Sequence, residues 1–351
     1  MTQGFVSSQP STDEAQTPQE TPSGIMPTMR PGKRQAFVGV DIGGTKIEGV
    51  LIDESGDVLE TRRHDSNQGS SAVAEQIVAM IDQLHAVGLG LGMMLAGIGI
   101  GIPGKIDVET GVVSNAVNLG ISGMNLRARI AQSFRGVPIC IENDVNAAAL
   151  GAWTVLALNG PGDASPVAFL NFGTGLACGI ISDGQVYHGA TGVAGEIGHI
   201  PTEVHQYQCK CGQRGCLETV ASGSGVDRIW PTASGYALPA LMRAAELGEA
   251  SAREALSTVI HGMSMAIIII ALSIDPGKIV IGGGLAKTGQ PLIHAIEEDL
   301  RQRAESSSFI DSLDLTRRLL LAPMDQPIGA IGAAAVAVAR WKILFNSQEK
   351  D

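Results

Sequence analysis

Aromatic side chains are scarce in this chain: seven Phe, three Tyr and three Trp make up 4% of its 351 residues. An all-β sandwich draws on aromatic residues for its sheets. Together with 45 glycines, the scarcity favours an α/β protein with glycine-rich turns after its strands. Basic residues are also few. The 24 Lys and Arg against 35 Asp and Glu leave a formal charge of −11, which argues against general affinity for nucleic acid or an anionic membrane. A phosphorylated ligand stays open, because backbone amides can hold it locally. Long apolar runs are missing as well. The longest, "MAIIIIALSI" from Met265 to Ile274, falls short of the ~20 residues that cross a bilayer and reads as a buried helix. No secretory segment opens the chain: residues 1–35 are rich in Ser, Thr, Gln and Pro and are expected to be a disordered tail. A cytoplasmic, reducing compartment is therefore expected, and the five cysteines are expected to form no disulfides.

What is present can build real cores, since 44% of the residues are apolar. Three of the five cysteines crowd into the stretch "CKCGQRGC", Cys209 to Cys216, downstream of His199. One His and three Cys form a ligand set suited to a closed, structural zinc site, and the glycines between them let a short knuckle wrap the ion. Three neighbouring surface thiols, or a redox switch, are the plainer readings. A metal that ties His199 to the knuckle draws Glu196 and Glu218 together. It also fixes the second ring nitrogen of His199 as a donor. Such an acidic rim suits the paired hydroxyls of a sugar.

A pattern occurs twice. "FVGVDIGGTKIEGVLID" and "VAFLNFGTGLACGIISD" each read as strand, glycine turn, strand. Asp41 to Asp53 spans the same twelve positions as Asn171 to Asp183, with Gly43 matching Gly173. The chain therefore reads as a duplicated α/β fold, each half offering one glycine turn to a shared cleft. Between these units the spacing of Val73, Ile77, Met80, Ile81 and Leu84 predicts a helix over 71–87. A shorter helix is predicted over 126–134. The strand "VPICIEND" leads into a small-residue helix from Val145. Beyond the knuckle the chain reads as mostly helical to about residue 272. A strand then opens into Gly282, Gly283 and Gly284, and "PIGAIGAAAVAVAR" forms a late helix able to pack closely.

The two glycine turns, Gly43-Gly44-Thr45 and Gly173-Thr174-Gly175, can turn backbone N–H groups and a Thr hydroxyl toward phosphate oxygens. Neither is a Walker loop, and singly each is as readily a tight hairpin. Lys46 is a candidate phosphate contact or a surface lysine. The three glycines at 282–284 are either a strand-to-helix turn or a flat shelf for an adenine ring. Asp144 falls at the carboxyl end of a buried strand, where ligands gather in open α/β sheets. It either accepts a hydroxyl proton in phosphoryl transfer or N-caps the following helix.

With these motifs in their order ("DIGGTK", "ENDVNAAALG", "FGTG", "GEIGH", "CKCGQRGCLE", "IGGGLA"), the chain resembles the ROK family of sugar kinases and repressors, within the sugar kinase/Hsp70/actin superfamily. The resemblance runs from Phe37 to Trp341. It implies a two-lobed, actin-like (ribonuclease H-like) α/β fold around a cleft, and usually a homodimer. The lobes are expected at 36–146, completed by a helix at about 326–343, and at 147–325, which includes the zinc knuckle. It implies Asp144 as general base, and a hexose held by Asn118, Asn143, Asp144, Glu196, His199 and Glu218. ATP is implied on Gly43, Gly44, Thr45, Lys46, Gly173, Thr174, Gly175 and Gly282 to Gly284, with Mg²⁺ reached by Asp41 through water. Zinc is implied on His199, Cys209, Cys211 and Cys216.

Two departures are present. The second phosphate loop reads "GTGLACG", with Ala177 and Cys178 where many members have a further glycine pair. After "AVNLG" the chain has "ISG" where related glucokinases often carry Trp. The resemblance implies an ATP-dependent kinase of the hexose 6-hydroxyl, with glucose as the first expectation and N-acetylmannosamine or N-acetylglucosamine as the alternative. A sugar sensor or repressor is the remaining reading. The 35 low-complexity residues before the first loop are too few for a DNA-binding domain, and no nucleic-acid or membrane partner is expected.

Overall fold

The structure is a computed structural model that describes residues 34–158, 165–202, 206–232 and 237–348. The expected N-terminal tail lies outside the described residues as far as 33.

The first half begins with β1 (Gln35–Ile42), β2 (Lys46–Asp53) and β3 (Val58–Asp65), followed by α1 (Ser70–Gly90) and β4 (Met94–Ile102). A side sheet of β5 (Lys105–Asp107), β6 (Val112–Ala116) and β7 (Ile121–Asn125) is inserted before α2 (Leu126–Ala131). Then come β8 (Ile139–Asn143) and α3 (Asp144–Val155). The main sheet has the order β3-β2-β1-β4-β8, with β1 antiparallel to β2 and parallel to β4. Its central strands β1 and β4 are buried over most of their length and, apart from Gln35 and Asp41 of β1, are apolar, as strands covered on both faces read. The face of α1 that packs on the sheet carries Val73, Ile77, Met80, Ile81 and Leu84, as its periodicity predicts. The predicted helix over 126–134 ends earlier, at Ala131, and turns through Ser133 and Phe134, whose amides return to the carbonyl of Ile130.

The second half repeats this plan. It contains β9 (Val167–Phe172), β10 (Leu176–Ser182) and β11 (Gln185–Val186), then α4 (Gly223–Ile229), α5 (Ala237–Glu246) and α6 (Ala250–Ile274). After these come β12 (Lys278–Gly282), α7 (Gln290–Ser306), α8 (Ser308–Ser312), β13 (Leu319–Leu321) and α9 (Ile328–Gln348). Its sheet order is β11-β10-β9-β12-β13, so each strand matches one in the first sheet in position and direction. The duplication read from two glycine turns thus extends to ten strands. By length and composition α6, at 25 residues, could cross a membrane, yet 61% of its most apolar window is buried inside the protein. Its face carrying Val259, Met263, Ala266, Ile267 and Ile270 forms the core under the second sheet.

The last helix returns to the first sheet. A Cβ on Gly99 would overlap the carbonyl oxygen of Ala333, and one on Gly39 would overlap that of Ala330, so α9 lies directly on β1 and β4. Where α9 crosses α3, Gly151 meets the carbonyl of Ile328 and Gly332 meets that of Ala147. The far end is closed by Trp341, edge-on to Phe37 at 5.5 Å. On its other side α3 packs through Val145, Ala149 and Leu150 against Phe169 and Ile181 of the second sheet. This helix joins the halves, and its N-terminus opens onto the cleft.

Candidate functional site

The first glycine turn joins β1 to β2. Its backbone is shaped by Gly43 N–H donating to the Lys46 carbonyl at 2.8 Å, and it is braced from outside. Ser66 Oγ donates to the Gly43 carbonyl at 2.7 Å, and Gln68 Nε2 to that of Gly44 at 3.2 Å. Neither Gly43 nor Gly44 adopts a positive φ. The glycine at 44 serves space instead: a Cβ there would sit 3.0 Å from that of Asn118, which lies directly against the turn. Thr45 and Lys46 are exposed at its tip.

The second turn joins β9 to β10 and is braced in the same way from α4. Gly223 N–H donates to the Gly173 carbonyl at 2.7 Å, and Ser224 Oγ to that of Thr174 at 2.8 Å. Gly175 also lies in tight space, since a Cβ would come within 2.9 Å of Glu218 Oε2. Of the three glycines after β12, Gly282 is buried against the Phe169 ring. Gly283 has φ 84° and touches Asn171, and only Gly284 faces open space. Of the three, only Gly284 leaves room for a ligand, and Gly283 makes the turn.

Asp144 does not cap its helix. Asn143 is the N-cap, its Oδ1 accepting from Val145 N–H at 2.9 Å and Asn146 N–H at 3.3 Å, and Asp144 is the first helical residue. That division of labour leaves the Asp144 carboxylate available. Asn143 Nδ2 donates to Gly104 at 3.4 Å and retains a second hydrogen. Asp41, on β1, and Asp144 flank Gly101 of β4, where a Cβ would lie 3.4 Å from Asp41 Oδ1 and 3.7 Å from Asp144 Cα. Burial pushes Asp144 up to about 6, helped by the Glu196 charge and opposed by backbone bonds at Val145 and Asp144 and by the side chain of Asn143. Burial, then Asp144 and Glu48, raise Asp41 well above the carboxylate range. Asp41 makes no ion pair among the described residues. Two crowded carboxylates without a basic partner fit a site that receives a cation.

On the opposite rim, Gly195 and Gly198 let the loop after β11 lie on β10, where side chains would overlap the carbonyls of Cys178 and Leu176. This loop presents Glu196 and His199. His199 Nε2 is 4.0 Å from Glu196 Oε2, and Nδ1 is 3.9 Å from Glu218 Oε1. Cys209 Sγ is 3.7 Å from His199 Nδ1, and Cys211 Sγ is 3.6 Å from Cys216 Sγ. All four ligand atoms lie within 4.8 Å of one another. Ligands about 2.3 Å from one zinc stand ~3.8 Å apart in a tetrahedron, so this donor set fits. Amide donors from Gln213 lower Cys211 to about 6, whereas burial pushes Cys209 up to about 12 and raises Cys216. Because Glu218 borders both Cys209, at 3.3 Å, and Gly175, the knuckle and the second turn share one side chain.

Sequence reasoning missed Ser66, Gln68 and Ser224, which brace the turns. It also missed Glu142 and His188, which meet at 2.8 Å beside the start of α3. A charged residue inside the apolar strand "ICIEN" was the one available signal.

Residues 37–340 match the ROK family. A glucokinase of Halalkalibacterium halodurans is 34% identical over 284 residues, covering 75% of this chain and 84% of that protein. The crystal structure of a ROK hexokinase from Thermus thermophilus superposes with a TM-score of 0.72 at 26% identity, covering 88% of this chain and 99% of that one. A ROK-family glucokinase from Streptomyces griseus, solved with glucose and AMPPNP, superposes with a TM-score of 0.67 at 26% identity, covering 86% and 99%. With two glycine turns on matching hairpins, Asp41 and Asp144 together beside Gly101 and a His/Cys knuckle next to Glu218, and a match across nearly all its described length, the chain belongs to the ROK family.

Proposed function

We propose that the chain is an ATP-dependent hexose kinase that phosphorylates the 6-hydroxyl of glucose. The observation that carries this reading is Asp144. Asn143 supplies the N-cap in its place, burial lifts its carboxyl to about 6 against the backbone bonds it accepts, and it lies beside Asp41 across Gly101. Asp144 takes the proton of the sugar 6-hydroxyl as that oxygen attacks the γ-phosphorus in line, and ADP departs. A carboxylate titrating near 6 is ionised at pH 7 and still basic enough to receive a proton, so base catalysis contributes roughly 10²- to 10⁴-fold.

The other residues position. Backbone amides and hydroxyls of Gly43, Gly44 and Thr45, with Gly173, Thr174 and Gly175, hold the phosphates, and Lys46 lies at the mouth of the first turn. Gly284, beside Gly282 and Gly283, takes the adenine. Asn118, Asn143, Glu196, His199 and Glu218 hold the sugar hydroxyls. Asp41 would hold Mg²⁺ through water, and the ion supplies charge neutralisation on the phosphates. His199, Cys209, Cys211 and Cys216 would hold zinc, which fixes the rim in place. His199 would ligate through Nδ1 and keep Nε2–H for Glu196 or a sugar hydroxyl.

A second reading, an N-acetylmannosamine or N-acetylglucosamine kinase, is favoured by one feature. Ser122 and Gly123 are small and exposed, and a Cβ on Gly123 would touch nothing within 4 Å. Related glucokinases often carry Trp there. A non-catalytic sensor would lack the base or one turn, and this sequence keeps both. We further propose a cytoplasmic homodimer with lobes at 36–146 and 147–325, and with no nucleic-acid or membrane partner. The test is ADP release by purified protein with Mg-ATP and glucose, mannose, fructose, N-acetylglucosamine or N-acetylmannosamine. Preference for glucose is expected. Preference for an N-acetylated sugar establishes the second reading, and sugar binding without turnover overturns both.

A further inference from the structure

Glu142 is the side chain at this site that the mechanism leaves unused. It precedes Asn143 and Asp144 at the end of β8, and its carboxylate is only 5% exposed. Both oxygens are engaged. Oε1 accepts from the Asn143 N–H at 2.9 Å and from Asn146 Nδ2 at 3.0 Å, and so grips the first turn of α3 from the side. Oε2 meets His188 Nε2 at 2.8 Å, across 46 positions of sequence. His188 stands at the opposite end of the loop that carries Glu196 and His199. Its carbonyl accepts from Ala194 N–H at 3.2 Å, and Gly189 follows with φ 70°. A buried charge is costly unless paired, and among the described residues the ion pair Glu142 makes is the one with His188. The same contact raises the His188 imidazole above its ordinary value. The pair lines a cavity of about 920 Å³, bordered also by Ile141, Leu150, Val186 and Arg340.

We propose that Glu142 and His188 are positioning residues, a clamp that sets the Asp144 end of α3 relative to the loop bearing Glu196 and His199. The proposal rests on Asp144 as the base. Neither residue touches substrate. Glu142 acts through the turn that Asn143 caps, and His188 acts through its own loop. Without the clamp, the base and the sugar rim are each still built, but their spacing is no longer fixed. Displacement of about 1 Å at a reacting centre costs on the order of 10²-fold in rate.

The test uses the full chain and compares Glu142→Gln, His188→Leu, His188→Gln, the double variant Glu142→Gln/His188→Leu, and Asp144→Asn, with steady-state kinetics and Tm. His188→Leu is expected to lower kcat by about 10- to 100-fold, with KM for ATP within about twofold, and to lower Tm because Glu142 is left unpaired, while the variant stays folded at the assay temperature. His188→Gln, whose amide can donate to Glu142, is expected to recover most of that loss. The double variant is expected to be no worse than the poorer single variant, since two halves of one device fail together. Wild-type kcat in both His188→Leu and Glu142→Gln, or losses that multiply in the double variant, would overturn the clamp. A fall in Tm that accounts for the lost activity would overturn it too. If Asp144→Asn keeps turnover, the base assignment has failed. If Asp144→Asn is inactive while the clamp variants are normal, the clamp alone has failed.

Discussion

The chemistry of the site turns on how two adjacent residues divide their work. Asn143 takes the N-cap position and accepts two orphan amides of α3 at 2.9 and 3.3 Å, while the Asp144 carboxylate takes backbone bonds only at Val145 and its own amide. The sequence left two readings of Asp144 open, base or N-cap. Only the backbone decides: Asn143 is extended, with ψ 144°, as an N-cap must be, and the helix begins after it. The same placement lifts the Asp144 carboxyl to about 6, chiefly by burial. A base must be ionised to act, so kcat/KM for the sugar should rise with pH up to about 6 and level off above it. A break near 4, where a solvated carboxylate titrates, would mean that the carboxylate is not buried as described.

At the scale of elements, glycine carries less conformational and more steric meaning than the sequence suggested. The turns at 43–45 and 173–175 were read as needing glycine for freedom of the backbone, yet none of those glycines has a positive φ. Gly44 and Gly175 are small because Asn118 and Glu218 stand against them. The same logic governs the packing of α9, where Gly99 admits the carbonyl of Ala333. Gly99→Ala forces backbone against backbone and is expected to destabilise the fold by about 1–3 kcal/mol, lowering Tm by several degrees. Gly123→Ala, with open space around it, should leave Tm unchanged. Equal Tm values for the two would contradict this packing.

The clustering of the knuckle was legible in the sequence: the four residues expected to hold zinc fall within 18 positions, and their donor atoms lie within 4.8 Å of one another. Metal analysis is expected to find one zinc per chain in the wild-type protein and none in Cys209→Ser. The variant should also raise KM for the sugar more than kcat falls, since the rim loses its staple. A wild-type chain free of zinc would remove this part of the account.

At the scale of the whole molecule, the duplication was legible from two hairpins twelve positions long. The matching strand orders β3-β2-β1-β4-β8 and β11-β10-β9-β12-β13 extend it to the sheets. What sequence could not reveal is contact made across the halves. The meeting of Glu142 with His188 and the crossing of α3 and α9 at Gly151 and Gly332 join residues remote in the chain. No local period or propensity records such pairs. The departures "GTGLACG" and "ISG" fall into place differently. Cys178 is buried in β10 with its amide bonded to Gly195, behind an intact turn. Ser122 and Gly123 leave open space that bears on which sugar is accepted.

The central claim is that Asp144 receives the proton of a hexose hydroxyl during phosphoryl transfer. The most direct measurement is hexose 6-phosphate formation from Mg-ATP and glucose by the wild-type protein and by Asp144→Asn, together with sugar binding to both. The account predicts that the variant binds sugar within a few-fold of wild type and loses about 10²- to 10⁴-fold in kcat. Turnover by the variant at the wild-type rate would contradict it.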